Sequence, residues 1–239
     1  MTSLHTSSLH TPQATADYAD LPELMGRMTG DEKHTTSATS TLDVLWTLYS
    51  RILRIDPARP DDPDRDRFLL SKGHGPMAYY AVLAAHGFFP VELLDGFAEF
   101  SSPLGMHPDR ALIPGVEIAS GSLGHGLPIA VGMTSALIAR GNHRSQVFVL
   151  LGDAELDEGS NHEAIALAGR MGLTRLTAIV VDNRSATHGW PGGLAERFAV
   201  EEWSSVTVSG RDHDTLEAAL RPVDRDRPHA VIARVEEKE

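Results

Sequence analysis

Residues 146–183 read QVFVLLGDAELDEGSNHEAIALAGRMGLTRLTAIVVDN, and their pattern of apolar runs indicates the fold class of the chain. It begins with a largely apolar run at 146–151 and closes with a second one at 176–181. The residues between them, from about 160 to 171, have the pattern of a helix. Strands that are apolar on both faces and joined by a helix are typical of a parallel sheet covered on both sides.

The flanking sequence continues this alternation of strands and helices. Upstream, we expect a short strand at 68–70 and helices over 42–53, 76–85, 91–100 and 126–140. Downstream, residues 205–208, 214–220 and 230–235 read as strand, helix and strand. Residues 101–119 lack periodicity and contain three prolines, so we expect a long loop of the kind that is usually functional in a compact domain. The sequence therefore predicts one doubly wound α/β domain.

Length, charge and composition exclude several classes of protein. A chain of 239 residues suits one well-packed domain, and a net charge of −12 without a basic stripe argues against binding nucleic acid. The absence of cysteine excludes disulfides, cysteine-ligated zinc and thiol catalysis. Residues 1–16 read as a disordered tail, not a signal peptide, which leaves 17–239 as the single domain. No run approaches the ~18 apolar residues of a membrane span, so we expect a soluble, cytoplasmic protein.

Polar side chains follow the two strands of the quoted stretch. Asp153 follows the first strand and Asn183 follows the second. In an open parallel sheet, ligands bind outside the carboxyl ends of the strands, and a carboxylate with an amide oxygen suits Mg²⁺. Both residues are also common in plain turns, and that reading stays open at this point.

A glycine-rich turn precedes the predicted helix at 126–140. Its sequence is Gly121-Ser122-Leu123-Gly124-His125-Gly126. Glycines allow backbone N–H groups to approach a diphosphate, and the helix directs its positive end to the same place. The spacing differs from the dinucleotide fingerprint, so a nicotinamide site is disfavoured. A tight packing turn at a helix start is the alternative.

Three histidines lie in loops or at helix starts: His34, His74 and His107. A loop histidine is most often a surface residue. His74 closes Ser71-Lys72-Gly73-His74 after a predicted strand, and His107 lies in the long aperiodic loop. These two are the stronger candidates for a site. We interpret six others as surface residues: His5, His10, His143, His162, His213 and His229.

Four segments, in order, resemble the N-terminal, diphosphate-binding region of transketolases, over roughly residues 42–220. They are DRFLLSKGHGPMAYYAVLAAHGFFP at 66–90, GMHPDRALIPGVEIASGSLGHGLPIAVGM at 105–133, LLGDAELDEGSNHEA at 150–164 and AIVVDN at 178–183. The resemblance implies the thiamine diphosphate-binding fold, with thiamine diphosphate and Mg²⁺ as cofactors.

The resemblance also implies residue roles. Asp153, Asn183 and the backbone carbonyl of Ser185 would ligate Mg²⁺. Leu123 would pack near the cofactor rings, and Glu158 would lie at a subunit interface in a proton network between paired active sites. The donor hydroxyls would be bound by His34 and His107, which with His74 form the catalytic set. The remaining cofactor contacts would come from His74, Gly121, Gly124, Gly152 and Ala154.

The match breaks at several places. Thr35-Thr36-Ser37 replaces a glycine pair of the family, Ala154 replaces a glycine, and Thr187-His188 replaces an apolar–acid pair. The family's Lys-Gly-Lys-Gly segment has no counterpart in residues 235–239. The family's second domain, which supplies the glutamate that protonates the aminopyrimidine ring, is also missing. The resemblance therefore implies a separate pyrimidine-binding partner chain and a two-plus-two heterotetramer.

Three functions remain open on the sequence. The first is a split transketolase that transfers a two-carbon ketol unit from a ketose donor to an aldehyde acceptor. The second is decarboxylation of a 2-oxo acid followed by acyl transfer, on which His34 and His107 have no clear role. The third is a non-catalytic homologue, which a degraded metal site would favour. Neither nucleic acid nor membrane is an expected partner.

Overall fold

A five-stranded parallel sheet forms the centre of the protein. The computed structural model describes residues 11, 13–29, 39–221 and 226–236. The strands stand in the order β1-β2-β3-β5-β4 and every pair is parallel. They are β1 (Arg67–Leu70), β2 (Val147–Gly152), β3 (Leu176–Asp182), β4 (Ser204–Ser209) and β5 (His229–Arg234). All five match strands predicted from the sequence to within two residues.

Helices cover both faces of this sheet. Alternate side chains of each strand enter opposite cores, as the period of two requires: Phe148 packs on one face and Val149 on the other. The first face carries α1 (Leu21–Gly26), α2 (Leu42–Thr47), α3 (Met77–Ala85) and α7 (His213–Leu220). The second carries α4 (Gly126–Ala139), α5 (Gly159–Arg170) and α6 (Leu194–Ala199). The predicted doubly wound α/β fold is confirmed.

Several segments differ from the sequence-based expectation, and α1 is one of the helices that were not predicted. The helix predicted over 42–53 becomes a π-helical turn, Leu48–Ile52, after α2. The helix predicted over 91–100 is wrong beyond a 3₁₀ helix, Val91–Gly96, because Ala98 adopts a left-handed φ of 63° and its N–H donates to Leu104 O. Helix α6 was not predicted, since two glycines with positive φ precede it.

The amino-terminal region is tied to α3. Thr15 donates from its N–H and its hydroxyl to Ala85 O, at 2.7 and 2.9 Å. Most of the predicted tail, 1–16, lies outside the described residues, but chain packing begins at least two residues before the expected boundary at 17. No helix within the described ranges combines the length and apolar character needed to cross a membrane.

Candidate active site

Three neighbouring strands deliver polar residues to one edge of the sheet. Strand β1 runs into Ser71, β2 into Asp153, and β3 into Asn183. The three strands are adjacent and parallel, so their carboxyl ends meet there. A hydrogen bond from Asp153 N–H to Val181 O, 3.1 Å long, holds the ends of β2 and β3 in register. This edge is where an open parallel sheet binds ligands.

Asp153 is buried and bonded to the loop that follows β3. Only 2% of the residue is exposed to solvent. Oδ2 accepts from the N–H groups of Ser185 at 2.6 Å and Ala186 at 3.1 Å, and Oδ1 accepts from the Ser185 hydroxyl at 2.6 Å. Three donors from the loop after β3 thus converge on one carboxylate at the end of β2.

Asn183 supplies an oxygen with no partner. The residue is 7% exposed, and its Oδ1 is buried without a hydrogen bond to any described residue. A buried acceptor left unsatisfied is costly, and a bound water or ion is the usual explanation for such an exception. An oxygen of this kind on the strand next to Asp153 fits a hard cation such as Mg²⁺.

Side chains alone do not build a metal cluster here. Within the described part of the chain, no three or more His, Cys, Asp or Glu residues are arranged to hold a metal ion. A cation at this edge therefore needs the Asn183 amide and a backbone oxygen beside Asp153. Ser185, whose carbonyl is the expected third ligand, is half-buried and donates its N–H to Asp153.

The glycine-rich turn packs against the ends of β1 and β2. Gly121 and Gly124 have φ values of 147° and 83°, which residues with a Cβ rarely adopt. A Cβ on Gly124 would stand 2.6 Å from Ser160 Oγ, and one on Gly73 would stand 2.7 Å from Gly121 N. These positions therefore require glycine, because a side chain would collide with neighbouring atoms or would need an unfavourable φ.

The structure brings most of the predicted site residues together. His107 is exposed and its ring lies against Gly121, because an added Cβ there would stand 2.7 Å from His107 Cδ2. His74 is half-buried just after β1. Around the turn, Leu123 and Ala154 are half-buried, while Glu158 is exposed. His34 lies outside the described residues.

Glu155 is a central residue that the sequence interpretation missed. It lies on a 3₁₀ helix, Ala154–Asp157, and is 1% exposed. Its carboxylate accepts from Gly124 N–H at 2.9 Å, from Gly152 N–H at 3.3 Å and from the Ser71 hydroxyl. Burial raises the pKa of the Glu155 carboxyl, and the donated hydrogen bonds oppose this rise. Its position two residues after Gly-Asp was the available signal.

A second missed cluster braces the loop after β3. The Arg197 guanidinium lies 4.7 Å from the Trp190 ring centroid and donates from Nε to His162 Nδ1 at 3.2 Å. Burial lowers the pKa of Arg197, but guanidinium stays charged in proteins. His162 is thus half-buried, not a surface residue. The same interpretation was wrong for His229, which is buried, and for His213, which binds Asp43 Oδ1.

Comparisons with known proteins find a matching family model and several relatives. Residues 29–235 match the family model "Transketolase, thiamine diphosphate binding domain". The chain is 37% identical over 210 residues to a protein from Actinobacillus succinogenes named as a subunit of apulose-4-phosphate transketolase, covering 84% of this chain and 75% of that protein. It is 58% identical over 218 residues to a protein named ferredoxin fas2 from Rhodococcoides fascians, covering 91% of this chain and 72% of that protein.

Among solved structures, the transketolase from Leishmania mexicana superposes with a TM-score of 0.75 at 26% identity. The match covers 92% of this chain but 36% of that one. The chain therefore spans about a third of the solved enzyme and about three quarters of the apulose-4-phosphate transketolase subunit.

Proposed function

The chain belongs to the transketolase family as its thiamine diphosphate-binding domain, and from this premise we propose that it is one subunit of a two-chain transketolase. The complete enzyme transfers a two-carbon ketol unit from a ketose donor to an aldehyde acceptor. The observation that carries the proposal is the unpartnered Oδ1 of Asn183, on the strand next to the buried carboxylate of Asp153.

The cofactor is held from two sides. Asp153, Asn183 and the carbonyl of Ser185 would hold Mg²⁺, which would supply positive charge for the diphosphate. The start of α4 and the glycine-rich turn would orient the diphosphate, and Leu123 would pack near the rings. When bound, thiamine diphosphate supplies the electron sink for cleaving a carbon–carbon bond beside a carbonyl. The protein residues supply position and charge.

The histidines act on the substrate side of the site. His107 is exposed beside Gly121, and His74 is half-buried at the end of β1. Imidazole is suited to hold the hydroxyl groups of a ketose and to accept or return a proton near neutral pH. We assign both to donor binding and general acid–base work, together with His34.

A partner chain completes the site. The relative from Actinobacillus succinogenes is named as one subunit of its enzyme, and by analogy this chain binds a pyrimidine-binding partner that supplies the glutamate facing the aminopyrimidine. Glu158 is exposed, as an interface residue must be before assembly. The two-plus-two stoichiometry, the role of Glu158 in a proton network and the cytoplasmic location stay predictions.

The decisive experiment is ketol transfer by the assembled enzyme. The chain is co-expressed with its pyrimidine-domain partner, purified as a complex and supplied with thiamine diphosphate, Mg²⁺, a ketose donor and an aldehyde acceptor. We expect a product two carbons longer than the acceptor, absent after EDTA treatment and absent with either chain alone. A complex that binds the cofactor but releases CO₂ from 2-oxo acids, with no ketol transfer, overturns the proposal.

Decarboxylation of a 2-oxo acid is the second candidate function, and one relative favours it. The 58% identical protein is named a ferredoxin, a carrier of electrons on an iron–sulfur cluster held by cysteines. These 239 residues contain no cysteine, so the cluster has no counterpart in them. Ketol transfer is redox-neutral, whereas oxidative decarboxylation of a 2-oxo acid yields two electrons, which iron–sulfur carriers take up one at a time. Donor preference separates the two functions.

A further inference from the structure

We propose that Glu155 is the positioning residue that sets the glycine-rich turn in place for the diphosphate. The inference rests on the proposed function and deepens it. It explains how the ends of β1 and β2 and the start of α4 are held in fixed positions relative to one another. Glu155 does not touch the cofactor in this proposal. It acts through the peptide groups and the hydroxyl that it binds.

One carboxylate joins three segments of the site. Glu155 Oε1 accepts from Gly124 N–H at 2.9 Å and from the Ser71 hydroxyl, and Oε2 accepts from Gly152 N–H at 3.3 Å. Gly124 belongs to the turn, Ser71 follows β1, and Gly152 ends β2. The carboxylate is therefore the common acceptor for all three.

Ser71 extends this connection to α4. Its Oγ accepts from Gly126 N–H at 2.9 Å, and Gly126 is the first residue of α4. The hydroxyl thus donates to Glu155 and accepts from the helix start at once. Ser71 and Gly126 are packed tightly, since a Cβ on Gly126 would overlap with Ser71 Cβ.

The peptide groups on both sides of Gly124 are fixed. Its N–H is donated to Glu155, and its carbonyl accepts from Ser160 Oγ at 2.7 Å. The Glu155 backbone is itself held, because Asn161 Nδ2 donates to its carbonyl at 2.6 Å. It follows that Gly124 and Gly152 serve the diphosphate through their lack of a side chain, since their N–H groups are committed to Glu155.

The chemistry of the position demands a carboxylate. Three donors converge on it, and an ionised carboxylate offers acceptors only. A buried charge is costly without such bonds. A glutamine here has to point its NH₂ group at Gly152 N–H or at the Gly124–Ser71 pair, which places donor against donor.

The test compares Glu155→Gln and Glu155→Leu with Glu163→Gln, a matched change at an exposed glutamate of α5. Each chain is co-expressed with its partner, and the complex is assayed with Mg²⁺ over a range of thiamine diphosphate. Inorganic pyrophosphate serves as competitor, because it reports on the diphosphate subsite alone. The melting temperature of each complex is recorded.

We expect Glu155→Gln to raise the KM for thiamine diphosphate and the Ki for pyrophosphate in parallel, by about 10-fold, while kcat at saturation stays within about twofold. Glu155→Leu raises both constants further, and Glu163→Gln changes neither. If Glu155→Leu fails to fold, the glutamine variant and Ser71→Ala carry the test, the latter raising both constants in the same way.

The outcomes are distinguishable. A lower melting temperature with unchanged KM and Ki in Glu155→Gln overturns the positioning role and leaves the proposed function standing. A rise in the KM with an unchanged Ki for pyrophosphate also overturns it, because the effect then lies elsewhere on the cofactor. A wild-type complex that binds neither thiamine diphosphate nor pyrophosphate overturns both.

Discussion

Ser185 grips Asp153 with two hydrogen bonds, one from its N–H to Oδ2 and one from its hydroxyl to Oδ1, both 2.6 Å long. Asp153 follows β2 and Ser185 lies two residues beyond Asn183. The pair therefore joins the loop after β3 to the end of the neighbouring strand. Together with the bond from Asp153 N–H to Val181 O, this contact sets the relative placement of the proposed side-chain ligands and the proposed carbonyl ligand.

Asp153→Asn removes the charge and keeps the shape. The new amide group faces donors in Ser185, so we expect a stability loss of about 1–3 kcal/mol. Mg²⁺-dependent binding of thiamine diphosphate falls by at least about 100-fold, because a neutral amide replaces the carboxylate ligand. Calorimetric titration of the complex, with and without EDTA, measures it. Asp61→Asn, at an exposed aspartate, is the control, and equal affinity in Asp153→Asn and wild type removes Asp153 from the proposed metal site.

Asn183→Leu separates binding from stability. Asn183 Oδ1 is buried with no hydrogen-bond partner among the described residues, so replacing the amide by an apolar group of similar size removes an unsatisfied acceptor. We expect the metal-free melting temperature to stay level or rise, while Mg²⁺-dependent cofactor affinity falls about 10- to 100-fold. Thermal unfolding and titration measure the two effects. A large loss of stability without metal shows instead that the amide is structural.

Gly124→Ala tests the strained turn. Gly124 has a φ of 83°, and an added Cβ would stand 2.7 Å from Glu158 Cβ. We expect a loss of about 1–3 kcal/mol in the free energy of unfolding, measured in urea, from the left-handed backbone and the contact together. Gly132→Ala in α4 is the matched control, because a Cβ there meets nothing within 4 Å. We expect the free energy of unfolding of that variant to rise by about 0.5–1 kcal/mol, because alanine has the higher helix propensity. Equal effects in the two variants would contradict the proposed strain at Gly124.

The sheet was predictable because its strands are apolar on both faces. Val147, Val149 and Leu151 enter one core while Phe148 and Leu150 enter the other, so β2 reads as a continuous apolar run. Asp153 and Asn183 were predictable for a related reason: parallel strands end at one edge, and polar residues there point to ligands. Their positions after the strands left a plain turn possible, and only the resemblance to transketolases implied that they bind a metal.

The contacts that fix the site were not predictable in the same way. Glu155 binds Ser71, which is 84 positions away, and no local pattern encodes that distance. Buried charge runs against the expectation that glutamate is exposed. Helix α6 and its Arg197 were missed because Gly192 and Gly193, both with positive φ, make the preceding sequence read as loop. His162 looked like a surface residue because its partner lies on that helix.

The last prediction concerns Arg197, which contacts Trp190 on the loop after β3. This loop carries the proposed Ser185 ligand. Its guanidinium lies 4.7 Å from the Trp190 ring centroid, and it donates to His162 Nδ1 and to His162 O at 3.2 and 3.3 Å. Trp190 lies five residues after Ser185 on the same loop. Stacking on an aromatic face while donating from two nitrogens requires a planar group, which lysine lacks.

We therefore expect Arg197→Lys to loosen this loop although the charge is kept. The free energy of unfolding falls by about 1–3 kcal/mol, as for a buried network that loses its partners, and Mg²⁺ affinity in the presence of thiamine diphosphate falls about 10-fold. Trp190→Phe keeps an aromatic face and loses less on both measures. Arg170→Lys, at the exposed end of α5, is the control. If Arg197→Lys lowers stability but binds Mg²⁺ like the wild type, then Ser185 and Asp153 hold the loop without help from Arg197.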